Sequence, residues 1–245
     1  MWARRFDPRG AARGAVAAAE RAVGPRLVGA TLYGSAVTGE FHAAHSDVNV
    51  AFVFSALGAP ELEALRAARG AWMRSRVVRP LLLSRDTIRR SLDTFPLEYL
   101  LIRERHEQLS GEDGFVALAI GREALRLEIE RVLRAQELGL GLSYIALTHT
   151  KTGARHWAAR ASTSIAASAS GLLWLREGAL PGTRRDLVER CAAVLGVDGA
   201  AFQQLLSLRF EPHRPIEAAA LLESALRILN RLLETAEGLD GPPRA

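Results

Sequence analysis

The chain has 245 residues, 49% of them apolar, a net charge of +5 and a single cysteine, Cys191. That length exceeds one ordinary domain and suffices for two modest cores, while one cysteine excludes an internal disulfide and a cysteine metal cage. No run approaches the roughly 18 apolar residues of a membrane helix, residues 1–7 lack the apolar stretch of a signal peptide, and basic residues scattered among acids argue against a nucleic-acid partner, so the expected setting is cytoplasmic.

Residues 8–23 read as an Ala-rich helix that opens after Asp7, a good N-cap, and ends at Gly24-Pro25. Residues 27–33 form a buried strand, because Leu27, Val28, Ala30 and Leu32 are apolar, and the strand runs into Tyr33-Gly34-Ser35. Gly34 lets a phosphate approach the backbone, and Ser35 offers it an N–H and a hydroxyl. A loop of small residues with His42 and His45 then leads to Ser46-Asp47-Val48-Asn49-Val50 and the apolar run 51–54. Residues two apart on a strand share a face. Asp47 and Asn49 therefore point one way, and Val48 and Val50 point into the core. Pro60 opens a helix reaching about residue 69, with Glu61 and Glu63 in the first turn, where the helix dipole favours acids. A third strand is expected around 77–83, with Pro80 arguing for an edge position or a bulge. A short helix over 86–92 follows, and 94–113 reads as an apolar segment that runs into a polar turn.

After Gly114 the pattern turns to long helical periodicity without strand candidates. Helices are expected over 115–138, 157–176, 183–195, 198–208 and 215–237, with Thr183 and Asp198 as N-caps. The last carries Leu222, Leu226, Leu229 and Leu233 down one face. The expected organisation is α+β: a mixed-sheet domain over 1–112, an all-α helical bundle over 113–237 and a frayed tail over 238–245.

A Gly-Ser turn followed at this distance by Ser-Asp-Val-Asn-Val resembles the nucleotidyltransferase superfamily that includes DNA polymerase beta. Bacterial aminoglycoside adenylyltransferases are the nearer likeness, with a Tyr-Gly-Ser-Ala turn before a Ser-Asp-x-Asp strand. The match spans residues 27–54. Residues 94–113, with Phe95-Pro96, Glu98, His106 and the Gly111-Glu112-Asp113 turn, are similar to a stretch of uncharacterised bacterial proteins with the same two motifs. The resemblance implies nucleotidyl transfer from an NTP such as ATP to a small-molecule or protein acceptor, with Mg²⁺ as cofactor and the helical half framing the acceptor. Gly34, Ser35 and Asp47 are the positions it carries over intact.

The chemistry needs two divalent cations about 3.5–4 Å apart, and hard Mg²⁺ takes anionic oxygens. The family supplies three carboxylates. Here Asp47 is one, and Asn49 offers a neutral carbonyl oxygen in place of the second. The strand expected to bear the third has no acid, and Arg79 holds the matching position, where it would pair with Asp47 or a phosphate. Glu98 is the candidate for a displaced third acid, set against an ordinary ion-paired carboxylate. Losing two of three anionic ligands costs on the order of several kcal/mol of transition-state stabilisation. The sequence thus leaves two readings, a nucleotide-binding pseudoenzyme and a weakened Mg²⁺-dependent transferase. His42 and His45 read as ordinary loop histidines beside the site, and His149, His156 and His213 have no metal-ligand spacing. Glu128 and Glu130 read as a solvated helix face, and the serines at 162, 164, 168 and 170 as aids to close helix packing.

Overall fold

A computed structural model describes residues 6–147, 153–211 and 217–239. The chain divides into two compact units, one ending at Ile120 and the other beginning at Gly121. The first is α+β, the second all-α.

In the first unit, α1 (Pro8–Val23) starts where Asp7 accepts a hydrogen bond from the Arg9 N–H, and Gly24 closes it. Strand β1 (Leu27–Tyr33) leads into a short helix, α2 (Ser35–Thr38), and then β2 (Asn49–Phe54). Next come α3 (Ala59–Leu65), α4 (Arg69–Arg74), β3 (Leu81–Ser84), α5 (Arg85–Arg90), α6 (Pro96–Glu104) and β4 (His106–Gly111). The sheet order is β3-β2-β1-β4, with β1 antiparallel to both β2 and β4, and β2 parallel to β3. The sheet is therefore mixed, as expected.

Strand alternation divides the residues of the sheet between two layers. Ala30, Leu32, Val50, Phe52 and Phe54 belong to a core with Ala12, Ala15 and Ala19 of α1 and Trp72 of α4. Alanine on the inner face of α1 lets that helix lie close to the sheet. Trp72 stacks on Phe52 with centroids 5.1 Å apart, and its indole N–H donates to the Ala15 carbonyl at 3.0 Å. On the other face Thr31, Ala51 and Val53 are buried. Val53 and Ile88 border Gly114, and Phe115 meets Tyr99 at 6.3 Å. Phe115, assigned on sequence to the helical half, is wholly buried in the first unit, which is why that unit extends to Ile120.

Two strand expectations shift. The third strand begins at Leu81, with Val77 to Pro80 outside it, and it lies at an edge, as Pro80 suggested. Strand β4 has no counterpart in the sequence reading. Its sequence, HEQLSG, is half-buried at five positions and exposed at the sixth, so no apolar alternation marks it. Polar bonds hold it: Thr31 Oγ1 donates to Gln108 Oε1 at 2.6 Å, and Glu107 bridges Arg9 of α1 at 2.6 Å.

The second unit holds α7 (Arg122–Leu147), α8 (Gly153–Glu177), α9 (Arg184–Arg190), a π-helical turn over Cys191–Leu195, α10 (Gly199–Ser207) and α11 (Ala218–Glu237). Thr183 and Asp198 cap α9 and α10, accepting from the N–H groups of Asp186 at 3.1 Å and Ala201 at 3.0 Å. The buried seam of α11 runs through Leu221, Ala225, Ile228, Leu232 and Ala236, and includes Leu229 and Leu233. It is centred one residue earlier than the leucine count implied, and Leu222 and Leu226 are half-buried at its border. Glu130 pairs with buried Arg126 of its own helix at 2.9 Å. Ser162, Ser168 and Ser170 are buried, in keeping with a packing role. Burial pushes the Cys191 thiol up to about 12, so it stays protonated and inert. His149, His213 and the end of the tail lie outside the described residues. No helix among the described residues is long and apolar enough to cross a membrane.

One close approach fixes the end of the sheet. The Glu112 N–H donates to the Val28 carbonyl at 2.8 Å, and a Cβ at Gly29 would stand 2.1 Å from the Glu112 oxygen. Both atoms are backbone, so nothing flexible can yield. Gly29→Ala is expected to cost about 2–3 kcal/mol, read as a lower melting temperature. Gly139→Ala, where a Cβ meets nothing within 4 Å, serves as the contrast and gains up to about 1 kcal/mol from helix propensity.

Candidate functional site

The site is built where β1 ends and β2 begins. Tyr33 pairs with Asn49 on one side and with His106 of β4 on the other. Gly34 then turns the chain at φ 75°, the left-handed region that favours glycine. Its carbonyl accepts the Val37 N–H at 2.9 Å, which closes the first turn of α2, and Ser35 is half-buried at the start of that helix. A Cβ on Gly34 would lie 2.7 Å from the Asn49 amide nitrogen. The turn and the Asn49 side chain are therefore packed against each other.

The expected alternation is present: Asp47 is exposed, Asn49 half-buried, Val48 and Val50 buried. Asp47 itself stands before β2 rather than on it. The reason is local. β1 has already turned away at Gly34, so no strand remains to pair with residue 48, and the Val48 N–H donates instead to the Arg76 carbonyl at 3.0 Å.

Arg76 was not singled out from the sequence. It is the one non-glycine residue with positive φ among those described, at 57°. Its guanidinium lies 4.6 Å above the Phe6 ring and donates to the Ala43 carbonyl. Phe6 in turn stacks on Phe41 at 5.6 Å. Arg76 thus ties the loop between Gly39 and Ser46 to the body of the unit, and it sets the position of the chain at Asp47. Within that loop the exposed rings of His42 and His45 stack at 4.8 Å, and the Ser46 hydroxyl accepts the His42 N–H at 3.0 Å.

The other two candidates part company. Arg79 lies in the bend before β3, is exposed, and has no ion pair with Asp47 among the described residues. Charge replacement by an Arg79–Asp47 pair is not seen. Glu98 is exposed in the first turn of α6. Burial first, and then the charge of Glu98, push the Tyr33 phenol well above its ordinary value. Tyr33 precedes the Gly34 turn and is also the partner of Asn49.

Behind this group lies a second missed feature. His106 Nε2 meets Asp113 Oδ2 at 2.7 Å, while its Nδ1 faces the Ile102 carbonyl at 2.9 Å. Both ring nitrogens face oxygen atoms. The other Asp113 oxygen accepts from the N–H groups of Phe115 at 2.9 Å and Val116 at 3.1 Å. Burial raises the Asp113 pKa, but these N–H donors and His106 outweigh it and hold the carboxyl below the usual carboxylate range. The sequence signal was the His and Gly-Glu-Asp pair after Phe-Pro-x-Glu, read there only as a likeness.

No protein-family model matches the chain, and no curated protein sequence matches it. Among solved structures the chain is similar to spectinomycin adenyltransferase AAD(9) from Enterococcus faecialis, crystallised with ATP and spectinomycin. The TM-score is 0.56 at 13% identity, and the match covers 91% of this chain and 98% of that one. At that identity the likeness establishes the fold alone: a mixed sheet with a helical part, as in that adenyltransferase.

Two outcomes are expected from this geometry. Gly34→Ala forces a left-handed alanine against Asn49 and costs about 1–2 kcal/mol. Adding Asn49→Ala removes the clash, so the double variant melts above the sum of the single losses. Asp113→Asn costs about 1–2 kcal/mol at neutral pH. The folded-state pKa of Asp113 lies below its unfolded value, so its stabilisation is complete above about pH 4–5 and disappears as pH falls through the folded value. Melting curves of the two proteins should therefore converge in acid.

Proposed function

We propose that this chain is a nucleotide-binding protein on the nucleotidyltransferase fold whose transfer chemistry is weakened or lost. One observation supports the reading: the neutral amide of Asn49 packs against the Gly34 turn, and the resemblance implies a second carboxylate at that residue. Among the described residues no group of three or more His, Cys, Asp or Glu could hold a metal ion. The donor set does not fit a two-cation cluster, because one carboxylate and one amide oxygen leave most of its charge unbalanced. What remains is binding. The Gly34-Ser35 turn offers backbone N–H groups and a hydroxyl to phosphate oxygens. ATP is the nucleotide to try first, since the structural neighbour was crystallised with ATP.

The second reading is an active adenylyltransferase with a small-molecule or protein acceptor. Its support is Glu98, whose charge reaches Tyr33 at the turn. In that case Glu98 supplies the displaced third acid, and Asp47 and Asn49 supply the oxygens of a single cation.

Calorimetric titration with ATP, with and without Mg²⁺, combined with pyrophosphate release, separates the two. The expected result is saturable ATP binding that Mg²⁺ strengthens by less than about tenfold, under 1.4 kcal/mol. Asn49→Asp should enlarge the Mg²⁺ effect, because it restores an anionic ligand. Pyrophosphate release should equal that of Asp47→Ala across a panel of aminoglycoside and protein acceptors. Release that depends on both Asp47 and Glu98, with Glu98→Gln reducing it at least about a hundredfold, establishes the second reading instead.

A further inference from the structure

The helical unit holds a recess of about 440 Å³ between α7 and α8, within the size range of small-molecule sites. Gln136, Gly139 and Ser143 of α7 line it at helical spacing that puts them on one face. Trp157, Arg160 and Ser164 of α8 do the same from the other side. The recess exists because the facing positions are small. A Cβ built at Gly139 meets nothing within 4 Å, so that position opens onto empty space.

Its chemistry is one-sided. The lining includes a guanidinium, a carboxamide and two hydroxyls, and no carboxylate. Arg160 is exposed, and neither it nor Gln136, Ser143 or Ser164 makes a hydrogen bond or ion pair with another described residue. Other arginines on these helices are ion-paired. Arg134 bridges Glu137 at 3.0 Å, and Arg126 bridges Glu123 and Glu130, both at 2.9 Å. Trp157 is buried to 8% exposure and presents a mainly apolar wall. A planar guanidinium with five donors, flanked by hydroxyl and amide donors, matches the acceptor oxygens of a carboxylate or phosphate. It opposes a polyamine.

We propose that this recess binds a small organic anion, its carboxylate or phosphate held by Arg160 with Ser143, Ser164 and Gln136, and its flat or apolar body against Trp157. The site lies within the helical unit and does not depend on the nucleotidyltransferase reading.

The test is calorimetric titration of the full chain with benzoate, phenyl phosphate, inorganic phosphate and spermidine at constant ionic strength. Saturable binding is expected for benzoate or phenyl phosphate, and the better of the two identifies the head group. Arg160→Gln should weaken it at least about tenfold, and Arg160→Lys should restore part of the loss. Gly139→Leu should abolish it by filling the space, while its melting temperature stays level or rises because leucine replaces glycine in a helix. That variant excludes unfolding as the cause of lost binding. The proposal is overturned by any of three results: no saturable binding of either aromatic anion, binding unchanged in both Arg160→Gln and Gly139→Leu, or spermidine binding as well as the anions.

Discussion

The antiparallel register of β1 and β2 is the constraint on which the candidate site depends. Because Tyr33 faces Asn49, the chain must leave the sheet at Gly34 just where β2 enters it. A left-handed residue is needed to turn there, and the Asn49 amide lies against that turn, so a side chain at 34 has no room. Asp47 then falls beyond the last strand pair. Its position is set by a different contact, the bond from the Val48 N–H to Arg76. One side of the site is thus held by the sheet, and the other by a strained arginine outside it.

Charge underlies the proposal that this chain is weak in metal chemistry. The turn supplies donors suited to phosphate, and these do not depend on the identity of residues 47 and 49. A cation pair depends on them entirely. Replacing a carboxylate by an amide keeps the shape and an oxygen ligand but removes the charge that offsets a second cation. Glu98 brings a negative field from α6 instead, a different element from the strand where a third acid was sought. Field and ligation differ. A carboxylate can raise the Tyr33 pKa from several ångströms away, whereas ligation demands direct contact.

The helical unit follows another logic. Its helices bury alanine, leucine and serine along their seams, and several of their arginines pair with neighbouring glutamates. Exposed pairs of that kind contribute little to stability. Such pairs neutralise cations on the helix surfaces, whereas Arg160 borders an open recess and has no ion pair with another described residue.

Much of the fold was legible because local rules and tertiary context agree. The apolar alternation of β1 and β2, the caps at Asp7, Thr183 and Asp198, and the long helical periods are all written in neighbouring residues. So was the alternation of exposure across residues 47–50, since it needs only the two-residue repeat of extended chain. Strand β4 was not legible, because an edge strand of polar residues is held by partners far along the chain, Thr31 and Arg9 among them. The seam of α11 was misplaced by one residue because leucine count stands in poorly for the face that neighbouring helices cover. The conformation of Arg76 and the field of Glu98 at Tyr33 are conformational or long-range facts with no local pattern to announce them, and the His106–Asp113 pair was visible only as a likeness. The sequence by itself determined the turn, the two candidate oxygen ligands and the mixture of sheet and helix, since those follow from steric and hydrophobic periodicity. Which further groups gather around the turn was decided only by the tertiary structure, because charge and hydrogen bonds act between residues that sequence separation keeps apart.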